Sequence, residues 1–110
     1  MQIETATHGD LLEVTPKGRL DSNSAPALEK VLLERIDAGQ SKLTIDFGSV
    51  DYISSAGLRV LLMAAKRTGA AKGRFSMHSL SPEIREVFEI SGFLTILKVY
   101  PDLNAALAAQ

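Results

Sequence analysis

The feature that most constrains the fold is the segment from Leu43 to Ala65, which passes from a strand-like run into a helical pattern. Residues 43–47 read Leu-Thr-Ile-Asp-Phe, a short β-prone run typical of a central strand. Apolar residues then recur at intervals of three and four, which predicts a helix with one core-facing stripe. That stripe consists of Leu58, Leu61, Leu62 and Ala65. A strand that leads through a short corner into a helix is typical of α/β folds.

Three further strand-like runs occur along the chain. The first covers residues 11–16 and closes in a turn at Gly18, and Pro16 marks it as an edge or early strand. The other two lie at residues 75–78 and 94–99. No internal repeat, linker or low-complexity tract interrupts them. A chain of 110 residues is long enough for one domain with a sizeable core, so we expect a single α/β domain.

Three more helices are expected from their end signals and apolar stripes. The first begins after Ser24 or Asn23 and has Gly39 at its C′ position. The helix of the opening segment ends at residues 68–69, and the third begins at Ser81 with a proline directly after it. The expected core residues are Leu28, Leu32 and Ile36 in the first helix, Ile84, Val87 and Phe88 in the third, and Leu103, Ala106 and Leu107 in a short terminal helix.

Two hydroxyls, Ser54 and Ser55, stand where the N-cap of the second helix belongs. A cap hydroxyl accepts a hydrogen bond from a first-turn N–H group, and the helix dipole favours an anion at the same end. A phosphoserine here would leave the helix intact and add about −1.5 to −2 charges to an exposed corner, so a binding partner would have to read it. The alternative is that serine is simply a good helix cap.

The whole segment from Asp46 to Leu62 resembles the phosphoacceptor segment of STAS domains, specifically the anti-sigma-factor antagonists of bacteria. Three other pieces are similar to that family: Gly18-Arg-Leu-Asp21, Ser91-Gly-Phe-Leu94 and the apolar ending at residues 99–107. The resemblance covers essentially the full chain. It implies a STAS-like single α/β domain over residues 1–110, with a mixed four- to five-stranded β-sheet and about four helices packed on it.

Carried over to this chain, the family's phosphorylated serine corresponds to Ser55, and an acidic residue near it corresponds to Asp21. Family members often have Asp before the phosphoacceptor and Ser or Thr after it, whereas this chain has Ser54 and Ala56. Ser54 is therefore an alternative acceptor. From its residues alone, Asp21 also suits a turn and helix start.

One face of the second helix has the composition of a contact surface. At 100° per residue, Arg59, Met63 and Arg67 lie together, opposite Leu58 and Leu61. We expect Met63 to be exposed between the two cations, and both residue types are enriched in protein interfaces. A single stray exposed apolar residue is the alternative. Together with the resemblance, this predicts a partner-binding surface of Asp21, Ser54, Ser55, Ala56, Gly57, Arg59 and Met63.

The resemblance implies a phosphorylation-regulated anti-sigma-factor antagonist. The unphosphorylated form would bind an anti-sigma factor/serine kinase of the histidine-kinase-like ATPase class and free the sigma factor. That partner would phosphorylate Ser55 with its own ATP and Mg²⁺, which releases the antagonist, and a metal-dependent serine phosphatase would reset it. The alternative is a constitutive STAS scaffold subunit of a signalling or transport assembly.

The residues do not favour an enzyme. An activated serine needs a base within hydrogen-bond reach, and only two histidines are present. His8 is expected in an exposed turn, and His78 is expected to be partly buried and structurally satisfied. The sequence Ser-Ser-Ala-Gly also departs from the Gly-x-Ser-x-Gly elbow of hydrolases. Asp46 and Asp51 are expected to stabilise a turn rather than bind a metal, so no catalytic residue, metal or cofactor is predicted.

Composition limits the partners further. The formal net charge is −1, so the molecule as a whole is not drawn towards nucleic acid or anionic membranes. No cysteine is present, which is compatible with a reducing cytosol. The chain starts without a signal-like segment and has no run of membrane-spanning length. We therefore expect a soluble cytoplasmic protein that binds neither nucleic acid nor membranes.

Overall fold

The computed structural model describes residues 1–109, which form a mixed β-sheet flanked by α-helices. The strands are β1 (Gln2–His8), β2 (Leu11–Leu20), β3 (Lys42–Asp46), β4 (Val50–Ile53), β5 (Arg74–His78) and β6 (Lys98–Tyr100). The helices are α1 (Ala25–Asp37), α2 (Ser55–Ala70), α3 (Pro82–Ser91) and α4 (Leu103–Ala108), with a 3₁₀ turn at Phe93–Thr95. The predicted α/β class and mixed sheet are confirmed, although the sheet has six strands where four or five were expected.

Strand β2 organises the sheet, whose main order is β1-β2-β3-β5-β6. It forms an antiparallel hairpin with β1, and it pairs in parallel with β3 over Leu12–Val14 and with β4 over Gly18–Leu20. Of the two predicted alternatives, an edge or an early strand, the edge position is therefore wrong, and so is the end at Gly18, because β2 continues to Leu20. Pro16 stands opposite Ile3 in the hairpin and lies between the two parallel ladders, so neither parallel ladder loses a hydrogen bond to its missing N–H group.

The core lies between the sheet and the helices on both of its faces. Leu43, Thr44 and Ile45 in β3 are all buried, and since successive strand residues point to opposite faces, both faces of β3 are covered. Phe47 and Phe88 meet edge to face, with ring centroids 5.9 Å apart, which fixes α3 to the end of β3. The largest fully buried side chains also include Leu20, Leu28, Leu32, Leu61, Met77 and Ile84.

Helices α1 and α3 begin where their sequence signals predicted, and α4 begins at Leu103, the first residue of its predicted stripe. Ser24 is the N-cap residue of α1, and Gly39 follows its C-cap with φ +101°. Ser81 caps α3, because its Oγ accepts a hydrogen bond from the Ile84 N–H (3.2 Å). Asp102 caps α4 in the same way through the Ala105 N–H (2.9 Å). The predicted stripe residues of α1 and α3 are buried or half-buried in the structure.

Helix α2 is rotated relative to the predicted stripe. Its buried residues are Gly57, Val60, Leu61, Ala64 and Thr68. Of the predicted stripe, Leu61 is fully buried, while Leu58, Leu62 and Ala65 are half-buried beside this face and pack against the core. The small residues allow the helix to approach its neighbours closely, which turns their side towards the core and the leucines towards its margins.

The remaining differences concern strands whose apolar signal is weak or misleading. Most side chains of β1 are exposed, and two of the four in β4 are exposed, so neither strand has a clear apolar pattern. The run at residues 94–99, predicted as one strand, begins in a 3₁₀ turn and becomes strand only at Lys98. Within it Ile96 is 63% exposed while Leu97 is buried, because only the second side chain reaches the core.

Candidate functional site at the start of α2

The structure brings the predicted serines and Asp21 to one corner of the sheet. Leu20 of β2 is paired with Ile53 of β4 in a parallel ladder. Asp21 and Ser54 directly follow these two residues, and the Ser54 N–H donates to the Leu20 carbonyl oxygen (2.9 Å). The carboxyl ends of neighbouring parallel strands are where α/β proteins commonly place binding groups. We call Asp21, Ser54 and Ser55 the serine corner.

The two serine hydroxyls lie in different environments. Ser55 is exposed and is the first residue of α2. Ser54 is the N-cap residue, but its Oγ is buried and has no hydrogen-bond partner among residues 1–109. The expectation that Ser54 accepts a first-turn N–H bond is therefore wrong. A modifying enzyme can reach Ser55 from solvent, whereas the Ser54 hydroxyl is enclosed.

Ala56 and Gly57 hold the start of α2 against the sheet. Ala56 is half-buried and packs on the core, and Gly57 is buried. A Cβ atom at Gly57 would lie 2.8 Å from Leu20 Cγ and 2.9 Å from Ile53 Cγ1, closer than packed side chains allow. Glycine at this position therefore lets the first turn of α2 rest on both strands that lead into the corner. Gly57 adds no side chain to the accessible surface.

Asp21 forms the turn that joins β2 to α1, as its residue type predicted. Its Oδ1 accepts hydrogen bonds from the Asn23 N–H (3.0 Å) and the Ser24 N–H (3.2 Å). These bonds, the first of them above all, hold the pKa of Asp21 below its usual value, since they favour the charged carboxylate. Asp21 is therefore a turn-forming residue that also supplies a negative charge at the corner.

Two residues that the sequence analysis did not select complete this part of the surface. The Arg19 guanidinium lies over the Tyr52 ring, with Cζ 4.1 Å from the ring centroid. Its Nε is 3.7 Å from Asp21 Oδ2. The signal in the sequence was the position of Arg19 inside the quoted Gly18-Arg-Leu-Asp21 segment. Only the pairing of β2 with β4, which sequence patterns do not reveal, brings Tyr52 beside it.

The predicted cationic face of α2 is present in a modified form. Arg59 and Arg67 are exposed, but Met63 is half-buried and packs against the core, so the expectation of an exposed Met63 is wrong. A groove of about 830 Å³ follows this face and is called the α2 groove. Its lining includes Arg59, Leu62, Met63, Lys66, Arg67 and Ile96. Arg59 also lines a second, smaller groove of about 400 Å³ beside Ser22, Ala56 and Val60.

The two histidines share the carboxylate of Glu13, which lies in β2 seven residues before Leu20. His78 is 3% exposed, and its Nε2 is 2.7 Å from Glu13 Oε2 while its Nδ1 is 2.7 Å from Ser79 Oγ, which confirms the structurally satisfied imidazole. His8 ends β1 half-buried, 3.1 Å from Glu13 Oε1, rather than in an exposed turn. Glu13 therefore hydrogen-bonds to both imidazoles.

Asp46 lies near this cluster and was considered above as one of a metal pair. Its Oδ1 accepts the Gly48 N–H (2.8 Å), which confirms the turn-stabilising role, and lies 3.9 Å from His78 Nδ1. Ligand atoms of Glu13, Asp46 and His78 lie within 4.8 Å of one another. Each of these side chains already has a hydrogen-bond partner inside the protein, so the cluster has the chemistry of a structural network.

Comparison with known proteins gives the class to which this architecture belongs. A family model described as "STAS domain" matches residues 2–106, so the chain belongs to the STAS domain family. A protein of Bordetella bronchiseptica named "Putative anti-sigma factor antagonist BtrV" is 45% identical over 93 residues, which cover 84% of this chain and 80% of that protein. The resemblance to STAS domains of the anti-sigma-factor antagonist type is thereby confirmed.

Two solved structures are similar in fold. An anti-sigma factor antagonist from Mycobacterium paratuberculosis superposes with a TM-score of 0.89 at 27% identity, covering 98% of this chain and 92% of that one. The Bacillus cell fate determinant SpoIIAA in its phosphorylated form has a TM-score of 0.76 at 18% identity, covering 99% and 100%. Within residues 1–109, none of the helices has the length and apolar character needed to cross a bilayer.

Proposed function

We propose that this protein is an anti-sigma-factor antagonist controlled by phosphorylation of Ser55. In its unphosphorylated form it binds an anti-sigma factor that is also a serine kinase of the histidine-kinase-like ATPase class, and so frees the sigma factor. Phosphorylation ends that complex. A metal-dependent serine phosphatase restores the binding form, and the cycle takes place in the cytoplasm. The chain acts throughout as a binding module and not as an enzyme.

The observation that carries this proposal is the contrast between the two adjacent serines. Ser55 is exposed at the first position of α2, while the Ser54 Oγ is buried. A kinase must bring the γ-phosphoryl group of ATP into line with the hydroxyl that it modifies. Ser55 meets that requirement without rearrangement of the fold, which favours it over Ser54. The solved phosphorylated form of SpoIIAA, a protein of the same fold, adds support.

The transfer step uses only groups that the partner brings and one hydroxyl of this chain. Ser55 Oγ forms a bond to the γ-phosphorus of ATP, and the bond from that phosphorus to the β,γ-bridging oxygen breaks. ADP leaves, and the hydroxyl proton goes to a base of the kinase. Mg²⁺ bound with the nucleotide neutralises charge on the phosphates. This chain contributes the position of the hydroxyl, which α2 and Gly57 hold against the sheet.

The electrostatics of the corner support release as the consequence. Asp21 is a carboxylate at neutral pH, as its lowered pKa ensures even in mild acid, and Ser55 carries no charge before modification. A phosphoserine adds about −1.5 to −2 charges beside it. The helix N-terminus tolerates this charge, since α2 has no acidic residue in its first turn. A partner surface docked on the same corner has to accommodate a new dianion, and like charges brought together across an interface can cost several kcal/mol.

The proposal is tested by phosphorylation in extract of the protein's own organism with Mg-ATP, followed by peptide mass spectrometry. We expect phosphate on Ser55 in the wild type and in Ser54→Ala, and none in Ser55→Ala. Phosphate on Ser54 would move the site by one residue. If no phosphate appears while a control substrate is modified, a constitutive scaffold subunit becomes the better description.

The binding arm of the proposal is tested with the kinase that this assay identifies. We expect Ser55→Ala to bind it and Ser55→Glu to bind at least about tenfold more weakly, which corresponds to about 1.4 kcal/mol. Ser54→Glu is not a suitable control because it would bury a charge. Thr7→Glu, at an exposed position of β1 that pairs with Leu12, far from the end of β2 at the corner, adds the same charge and reports on non-specific repulsion. Equal binding by Ser55→Ala and Ser55→Glu would contradict release by phosphorylation.

A further inference from the structure

The α2 groove is an apolar surface that the proposed phosphorylation of Ser55 does not explain. Leu62 and Met63 lie half-buried along it, and Ile96 projects from the other wall with 63% of its surface exposed. Isolated exposed apolar residues are ordinary, but Ile96 borders a continuous groove of about 830 Å³. The groove follows α2 from Arg59 to Ala70, a length of roughly 16 Å at about 1.5 Å per residue.

The rim of this groove is charged with a single sign. Arg59, Lys66 and Arg67 are the only ionisable residues of α2, so the helix has three positive charges and no negative one. Arg67 is 3.8 Å from Asp37 of α1. Within residues 1–109, Arg59 and Lys66 have neither an ion pair nor a side-chain hydrogen bond. They are seven positions apart, which places them about two helical turns from each other on one side of α2.

The α2 groove also extends towards the serine corner. Arg59 lines both the α2 groove and the smaller groove beside Ala56, which directly follows Ser55. Lys66 lies eleven residues after Ser55 along the same helix, or roughly 16 Å away along its axis. A protein docked at Ser55 therefore has this cationic, apolar groove within reach of the same face.

We propose that the α2 groove docks an acidic amphipathic helix of the kinase that phosphorylates Ser55. This inference rests on the function proposed above. About three turns of a helix match the length of the groove, with apolar residues at intervals of three and four against Leu62, Met63 and Ile96. Carboxylates flanking that stripe pair with Arg59 and Lys66, which have no ion-pair partner among residues 1–109. A basic amphipathic helix would face like charges at both ends of the groove.

Docking at a distance from Ser55 separates binding from chemistry. The groove supplies affinity before and during phosphoryl transfer to the same extent, and such uniform binding lowers KM without changing kcat. Loss of a groove contact should therefore raise KM and leave kcat unchanged. A change that distorts the serine corner itself would lower kcat, since the hydroxyl would no longer be in line with the γ-phosphorus.

The test is steady-state phosphorylation of full-length variants by the kinase purified through its activity on Ser55. Lys66→Glu reverses one rim charge, and Ile96→Ser removes the exposed apolar contact; both positions are exposed, so the fold is expected to survive, as circular dichroism checks. We expect each variant to raise KM at least about fivefold with kcat within a factor of two. Lys30→Glu, an equal charge change on α1 outside the groove, should change KM less than twofold.

Ionic strength provides a second readout. The KM of the wild type should rise with salt, and the KM of Lys66→Glu should depend on salt less steeply, because one screened attraction has been removed. If both groove variants are phosphorylated on Ser55 with the KM of the wild type, the docking inference is overturned. The proposed function then still stands. Absence of Ser55 phosphorylation in the wild type would overturn both. If the KM of Lys30→Glu rises as much as that of Lys66→Glu, the effect depends on net charge alone, and this result would also overturn the docking inference.

Discussion

Two helices of this protein begin with a serine after a strand, yet the two serines do different things. Ser54 before α2 and Ser81 before α3 both have an extended backbone, with φ −101° and −66° and ψ 175° and 159°. Ser81 Oγ caps its helix through the Ile84 N–H, and α3 has Glu83 in its first turn. Ser54 Oγ is buried and makes no such bond, and no acidic residue follows it.

The difference shows that the start of α3 is built for local stability, and the start of α2 for tertiary placement. The start of α3 is stabilised by local side chains, namely the cap of Ser81 and the acidic Glu83 in the first turn. α2 is held instead by close packing of Gly57 on Leu20 and Ile53, with the Ser54 N–H bonded to the end of β2. Its first turn therefore carries no side-chain anion of its own, next to an exposed Ser55. This arrangement leaves room for the charge that the proposed modification of Ser55 would add.

The largest expected effect comes from filling the contact that holds α2. Gly57→Ala places a methyl group 2.8 Å from Leu20 Cγ, and such overpacking costs about 1–3 kcal/mol of the free energy of unfolding. Gly69→Ala in the same helix is the matched control, since nothing lies within 4 Å of its added Cβ. There the alanine should stabilise by up to about 1 kcal/mol. Urea unfolding measures both, and equal effects would show that packing does not hold the start of α2.

A smaller and opposite pair of effects separates the two serines directly. Ser81→Ala removes a cap and should lower the free energy of unfolding by about 1 kcal/mol. Ser54→Ala removes a buried hydroxyl that has no partner, which should leave stability unchanged or raise it by up to about 1 kcal/mol. Both changes delete one oxygen at an N-cap position, so each variant controls for the other. A loss on Ser54→Ala as large as that on Ser81→Ala would contradict the assignment of Ser54 as an unpaired group.

The smallest expected effect is a pH dependence at the corner. The pKa of Asp21 is lowered from its ordinary value of 3.8 by the N–H groups of Asn23 and Ser24. A depressed folded-state pKa contributes stability that is fully present above the unfolded value and is lost as pH falls through the folded one. We expect the carboxyl of Asp21 to titrate below pH 3.8 by NMR. As pH falls below 3.8, the free energy of unfolding of Asp21→Asn should accordingly decrease less than that of the wild type. If the two free energies fall in parallel, Asp21 does not contribute this pH dependence.

The sequence predicted the helices well because caps, terminal glycines and apolar spacing all depend on residues close together in the chain. The proline after Ser81, the glycine at position 39 and the intervals of three and four between apolar residues identified α1, α3 and α4. For α2 the same logic placed the stripe to one side of the centre of the buried face, since it counted large apolar residues. Burial follows the small side of the helix, where Gly57 and Ala64 allow close approach. The periodicity of apolar residues thus predicts that a helix exists. How the helix is rotated about its axis depends on the neighbours against which the helix packs.

The strands were less predictable, for a reason visible in β2. This strand contains Pro16, which marked it as an edge or early strand, and it continues beyond Gly18, which predicted its end. It continues because its parallel partner changes from β3 to β4, so Pro16 lies where no parallel ladder needs its N–H group. Strand pairing joins residues far apart in the chain. The weak patterns of β1 and β4 therefore became strands only through partners that the sequence does not name.

At the candidate site, the sequence by itself determined that two serines stand at the start of the second helix, downstream of a strand at residues 43–47, with an aspartate at a turn before the first helix. Tertiary pairing added β4 between that strand and the serines. It also determined the family, through the residues around those positions. Only the tertiary structure decided that Ser55 faces solvent while the Ser54 hydroxyl is enclosed, and that Arg19 lies over Tyr52 beside Asp21. The physical reason is that exposure and hydrogen-bond partners depend on Leu20, Ile53 and other residues distant in the chain, whereas turn and cap preferences depend on immediate neighbours.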